Sequence, residues 1–212
     1  MAADAGDVTV LALLDLSAAF DTVDHVILLQ RLQTTNHVTG NALQWFRSYL
    51  HGRYQSVLFR GETSTPVSVA HGVPQVSVLG PLLFILYTSD ILRIIAKDGL
   101  LCMCYADVTK LYFHLKAQSM AVAKSMVEGC INHVHQWLTS KRLHLNPNKT
   151  EGMWCATSRR ATAFKCPSFQ IGQSVIQPTS SVRNLDVQLR SDLTINDQVS
   201  AVVRSCNYNI RQ

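Results

Sequence analysis

The chain has 212 residues, enough for one ordinary domain or one domain with a small appendage. At 47% hydrophobic and 16% charged residues it carries enough apolar material for a core, which excludes wholesale disorder. The net charge of +5 is compatible with a nucleic-acid partner but does not by itself establish one.

Residues Val8–Leu14 (VTVLALL) form a continuous β-prone apolar run, read as a strand buried on both faces, with Asp15 at its C-terminal end. Asp24 or a near neighbour is placed to cap a helix through Val26, Ile27, Leu28, Leu29 and Leu32, and a second helix over Asn41–Leu50 stops at Gly52. Tyr54–Phe59 and Thr65–Ala70 read as a hairpin around Gly61. The segment His71–Pro81 is a loop entering a long apolar helix that ends near Ile95. Leu100–Ala106 and Thr109–Leu115 are two strands separated by Asp107 and Val108, which is hairpin spacing. Gln118–Lys141 is helical, with Val122, Met126, Ile131, Val134 and Leu138 at approximate helical spacing. His144–Ala156 and Ser181–Leu189 read as strands, Arg159–Pro167 as a basic loop, and a last helix starts at about Asn196. Strands and helices mixed without βαβ alternation predict an α+β fold, an antiparallel sheet with helices packed on one face.

Six cysteines without any C-x-x-C pair give no zinc or redox motif and no secreted disulfide scaffold; Cys102 and Cys104, two apart on one strand face, read as small apolar residues. The N-terminal segment carries acid where a secretory leader needs positive charge. The most apolar stretch, Val78–Tyr87, is too short to span a bilayer and is followed by Asp90 and Arg93. These features predict a soluble, intracellular protein, nuclear or cytoplasmic, with no membrane partner.

Two acids are placed for chemistry. Asp15 ends a buried strand and Asp107 sits at a hairpin tip, so one sheet can bring their carboxylates together. Such a pair repels, and each pKa rises unless a cation neutralises it. Oxygen ligands favour Mg²⁺, and two ions roughly 3.5–4 Å apart would clamp the attacking and leaving oxygens of a phosphoryl displacement. The plainer reading is that Asp15 caps the following helix and Asp107 only makes a turn.

A set of motifs in order favours the chemical reading. Leu14-Asp-Leu-Ser-Ala-Ala-Phe-Asp-Thr-Val-Asp-His25 resembles the first catalytic motif of LINE-type (non-long-terminal-repeat) retrotransposon reverse transcriptases. Gly72-Val-Pro-Gln-Val-Ser-Val-Leu-Gly-Pro81 resembles their second palm motif, Tyr105-Ala-Asp-Val108 their metal-binding hairpin, and Leu145-Asn-Pro-Asn-Lys149-Thr150 their lysine-bearing segment. Trp45-Phe-Arg-Ser-Tyr-Leu-His-Gly-Arg53 and Asn184-Leu-Asp-Val187 are similar to further family landmarks. The matches cover nearly the whole chain in the family's order.

The resemblance implies a right-hand polymerase palm over residues 1–190 and the start of a thumb, a remnant helix, over 191–212. It implies copying of an RNA template onto a DNA primer from deoxynucleotides (dNTPs) with two Mg²⁺ ions. Asp15, the Leu16 carbonyl and Asp107 would be metal ligands, and Lys149 would lie near the leaving pyrophosphate. Phe20 would sit under the sugar and exclude a 2′-hydroxyl, and Gln75 with its loop would contact the templating pair. For Phe20 plain core packing weighs equally, and a solvated surface lysine is the default for Lys149.

Three departures from the family pattern stand out. Val108 replaces the second of two consecutive hairpin acids and Val76 the glycine of Pro-Gln-Gly, while Asp186 stands near Leu185 where the family has glycine. The fingers that normally precede the first motif, and an endonuclease, are expected to be missing. The expectation is a copy that is inactive or impaired. Two other classes stay open: a non-enzymatic nucleic-acid- or protein-binding module, and a decayed retroelement fragment without selected function. Oligomeric state is unknown from the sequence.

Overall fold

In the computed structural model residues 7–115, 120–156 and 166–211 are described. Most of the predicted basic loop therefore lies outside the described residues. The chain divides into two compact units: Met1–Asp15 with Ile94–Val134 and Asn146–Gln212, and Leu16–Arg93 with His135–Leu145.

The first unit is built on a four-stranded antiparallel sheet. Strand β1 (Val8–Leu14) is central, a place its continuous apolar run suits because both faces are covered. The other strands are a hairpin of β6 (Leu101–Tyr105) and β7 (Val108–Leu115), plus β8 (Glu151–Cys155), in the order β6-β7-β1-β8. On one face Leu11, Leu13, Met153 and Cys155 pack with Val182 and Leu189. Those two belong to a hairpin of β11 (Ser181–Asn184) and β12 (Val187–Arg190). On the other face Val8, Val10, Ala12, Leu14 and Trp154 are buried. There Phe169 of β9 (Phe169–Ile171) stacks on Trp154 with ring centroids 5.4 Å apart, and β10 (Ser174–Ile176) pairs with β9. Gly152 is required beneath that ring, since a Cβ would stand 2.6 Å from it.

Two sequence readings are corrected here. Ser181–Leu189 is a hairpin and not one strand: Leu185 and Asp186 both take positive φ, +48° and +64°, and reverse the chain. His144–Ala156 is a strand only over Glu151–Cys155, because Asn146–Thr150 is spent on a turn.

The second unit is mainly helical. Asp24 caps α1 (His25–Thr34) by accepting from the Ile27 N–H, and α2 (Gly40–Leu50) follows. The predicted hairpin around Gly61 is a ladder of two-residue strands, β2 (Tyr54–Gln55) with β5 (Val67–Ser68) and β3 (Leu58–Phe59) with β4 (Glu62–Thr63). The long apolar helix is α3 (Leu79–Thr88) running into α4 (Asp90–Lys97). It ends close to Ile95 as expected, but as one 19-residue stretch of mean hydropathy 1.6 it is long and apolar enough to cross a membrane by length and composition, where the sequence reading had weighed only Val78–Tyr87 and found it too short. Asp90 does not end it, because Arg31 holds its carboxylate at 2.7 Å. Leu83, Phe84, Tyr87, Ile91 and Ile95 are buried, the pattern of a core helix.

Two helices remain. α5 (Met120–Ser140) buries Ala123, Val127, Cys130, Ile131, Val134 and Leu138, a stripe at helical spacing. α6 (Asn196–Ile210) buries no side chain at all.

Candidate active site

The first unit brings Asp15, Asp107 and Lys149 to one corner. β1 and β7 pair from Val8↔Leu115 to Leu14↔Thr109, so the register continued by one residue sets Asp15 beside Val108. Asp107 follows Ala106 in the two-residue turn that closes β6 on β7; Tyr105 pairs with Val108, and Ala106 takes φ +50°. Val108 is thus the first residue of a strand and not a turn residue, as the sequence spacing had placed it.

Lys149 reaches the same corner through a local turn. The Asn146 carbonyl accepts from the Lys149 and Thr150 N–H groups at 3.2 and 3.0 Å, and Asn146 Oδ1 accepts from Asn148 N–H at 3.1 Å. Asn146 N–H in turn donates to the Asp15 carbonyl at 2.9 Å, which ties the turn to the end of β1.

The electrostatics show an anion in want of a partner. Asp15 Oδ1 is buried and accepts no hydrogen bond. Burial raises the Asp15 carboxyl above its ordinary range, the Lys149 charge opposes that rise and the Asp107 charge adds to it. A buried carboxylate oxygen with no donor costs on the order of 1–3 kcal/mol, more when charged. The donor set therefore fits a divalent cation held by Asp15 and Asp107. Two carboxylates are all it offers: among the described residues no group of three or more His, Cys, Asp or Glu side chains is arranged to hold a metal ion. Asp15 does not cap the next helix, since Asp24 does.

The other predicted residues lie in the second unit. Leu16 is buried and forms an antiparallel bridge to Leu145. Phe20 packs on Phe84 at 4.8 Å between centroids, as core packing would have it. Gln75 stands in the second-motif loop and donates to Asp21 Oδ1 at 2.8 Å. Beside it Val76 takes φ +57° with its side chain fully exposed.

Sequence reasoning missed Asp21, Arg53 and Lys110. Asp21 lies within the first-motif segment Leu14–His25 and Arg53 ends the segment Trp45–Arg53, where the resemblance implies roles only for other residues. Lys110 is 4% exposed and its amine has no hydrogen-bond partner. It sits opposite Leu13 on β7, so alternation puts it on the sheet face that Asp15 continues. Nothing in the sequence marks that lysine as buried.

The sheet, the acid-tipped hairpin and the lysine turn define the palm of a right-hand polymerase. The family profile of the reverse transcriptases (RNA-dependent DNA polymerase) matches residues 1–189, and the chain belongs to that family. It is 28% identical over 198 residues to the RNA-directed DNA polymerase from mobile element jockey of Drosophila funebris, covering 91% of this chain and 21% of that protein. It is 28% identical over 193 residues to the probable RNA-directed DNA polymerase from transposon X-element of Drosophila melanogaster, covering 89% of this chain and 20% of the relative. The chain thus spans about a fifth of the length of these relatives. Among solved structures, an apo telomerase from Candida tropicalis truncated of its C-terminal domain aligns with a TM-score of 0.59 at 13% identity, over 89% of this chain and 35% of that one, a likeness of fold.

Proposed function

We propose that this chain is the palm of an RNA-directed DNA polymerase whose metal centre is one carboxylate short, leaving it inactive or strongly impaired in nucleotidyl transfer. Residues 1–190 would be the palm and 191–212 the start of the thumb. The observation that carries the reading is the buried, unpartnered Asp15 Oδ1 beside Asp107 and Lys149.

In the reaction of the family a primer 3′-oxygen bonds to the α-phosphorus of a dNTP as the bond to pyrophosphate breaks. Asp15 and Asp107, with the Leu16 carbonyl, would hold Mg²⁺, which when bound supplies positive charge to the transferring phosphoryl group. Lys149 carries a positive charge on the same corner and would neutralise the departing pyrophosphate. Phe20 would support the sugar from below, and Gln75 would meet the templating pair. Val108 offers no oxygen donor where the family has a second acid, so charge and geometry are lost together. No disulfide is formed by the cysteines among the described residues, which suits a reducing, intracellular compartment.

The test is incorporation of labelled deoxynucleotide on a primed RNA template with Mg²⁺ or Mn²⁺. We expect none from the unmodified chain, together with RNA binding that falls steeply with salt as counterions are released. Robust extension that disappears in Asp15→Ala would show that the damage is overestimated. No extension and no salt-sensitive binding would point instead to a decayed fragment.

A further inference from the structure

The second unit contains a polar cleft of about 440 Å³, a size suited to a small ligand. Asp21, Arg53, Gln55, His71 and Gln75 line it. Its floor is a seam between the loop before α1 and the second-motif loop. Gly72 N–H donates to the Val23 carbonyl and Val73 N–H to the Phe20 carbonyl, each at 2.8 Å. His25 Nε2 meets the Gly72 carbonyl at 2.7 Å. At φ +84° Gly72 brings the two backbones so close that a Cβ would stand 2.9 Å from the Asp21 carbonyl oxygen, so only glycine closes the seam.

The charged groups at the rim are left unsatisfied in a particular way. Gln75 Nε2 occupies Asp21 Oδ1, while Asp21 Oδ2 makes no hydrogen bond to another described residue. Arg53 gives one long bond to the Gly72 carbonyl, 3.3 Å, and forms no ion pair with any described residue. Asp21 and Arg53 therefore line one cavity without pairing with each other. An occupant that satisfies both must present an anion to the guanidinium and a hydrogen-bond donor to the carboxylate. A ribonucleotide does so: its phosphate suits the planar fork of arginine, and its 2′-hydroxyl can donate to a carboxylate. A deoxynucleotide lacks that donor.

We propose that this cleft binds one nucleotide of single-stranded RNA, with the phosphate on Arg53 and the ribose 2′-hydroxyl on Asp21. The proposal rests on the reading of the chain as an RNA-copying palm and gives it a site that tells RNA from DNA. Gln75 is then the link between this cleft and the templating position, its amide turned by Asp21 so that its carbonyl oxygen is free.

The experiment is fluorescence anisotropy of a short labelled single-stranded RNA and its DNA counterpart against the 212-residue chain, at about 50 and 200 mM salt. Unmodified protein should prefer RNA. Arg53→Met should weaken RNA and DNA alike by about tenfold and lower the salt slope by about 1. Asp21→Ala, which removes the acceptor without putting a donor in its place, should abolish the preference for RNA over DNA. If both variants bind as the unmodified chain does, the cleft is not the site although the polymerase reading stands. Equal affinity for RNA and DNA in the unmodified chain also overturns the assignment, and binding of neither polymer overturns both readings. Should Arg53→Met fail to fold, photo-cross-linking of 4-thiouridine RNA to the unmodified chain decides the matter. Cross-links within Arg53–Gln75 support the cleft, and cross-links only elsewhere overturn it.

Discussion

At Val76 the backbone takes φ +57°, a left-handed conformation in which a β-branched side chain is strained by on the order of 1–2 kcal/mol. Glycine would remove that strain but regain about 0.5–1 kcal/mol of freedom in the unfolded chain. Val76→Gly should therefore stabilise the fold by about 0.5–1 kcal/mol, read as a higher urea midpoint at unchanged slope; a lower midpoint would mean the loop is not held in this conformation. Asp15 offers a second test at this scale. Its folded pKa is raised by burial, so the folded state binds its proton more readily than the unfolded one. Stability from this group is then lost as pH rises from the ordinary carboxylate range through the folded pKa, and stays lost at neutral pH. Asp15→Asn in chelator should melt a few degrees higher than the unmodified chain at pH 7, about what 1 kcal/mol gives a domain of this size. That advantage should shrink toward pH 4, and one that grew on acidification would contradict the assignment.

Among the elements, α6 is the one with least to hold it. It buries no side chain and is tied to β12 by polar contacts: Arg190 to Asp197 at 3.1 Å, and Gln188 N–H to Gln198 at 2.7 Å. Helices in water owe most of their stability to a buried face. Hydrogen exchange followed by mass spectrometry should find the amides of Asn196–Ile210 exchanging within seconds while those of β1 and β7 persist for hours, roughly the local-to-global range expected. Slow exchange in α6 would mean that its exposed Val199, Val202 and Val203 are covered in solution. Elements were legible in the sequence where one physical signal dominated. The apolar run of β1, the Asp24 cap and the β6–β7 spacing each carried enough to place an element. The turns were less legible. Leu185 has no glycine or proline to announce its positive φ, and Asn146–Thr150 turns through a side-chain hydrogen bond that a strand pattern hides. β9 and β10 were missed because three-residue strands show too few alternations to register.

For the whole molecule, the acidic corner was readable because an ordered set of motifs names its residues one by one. The polar cleft was not, because its residues come from three separated stretches whose meeting depends on the Gly72 seam. Asp15 and Asp107 are proposed to form a metal centre from which position 108 has removed a ligand. Titration with Mn²⁺, followed by loss of the free-ion electron paramagnetic resonance signal, tests it most directly. The unmodified chain should bind Mn²⁺ weakly, at about millimolar concentration, as a two-carboxylate oxygen site would. Val108→Asp should bind at least about tenfold more tightly, the worth of one charged ligand, and should melt lower than the unmodified chain when chelator is present. Asp15→Asn should abolish binding at this corner in either background. Mn²⁺ bound equally well by the unmodified chain, Val108→Asp and Asp15→Asn would contradict a metal centre at this corner.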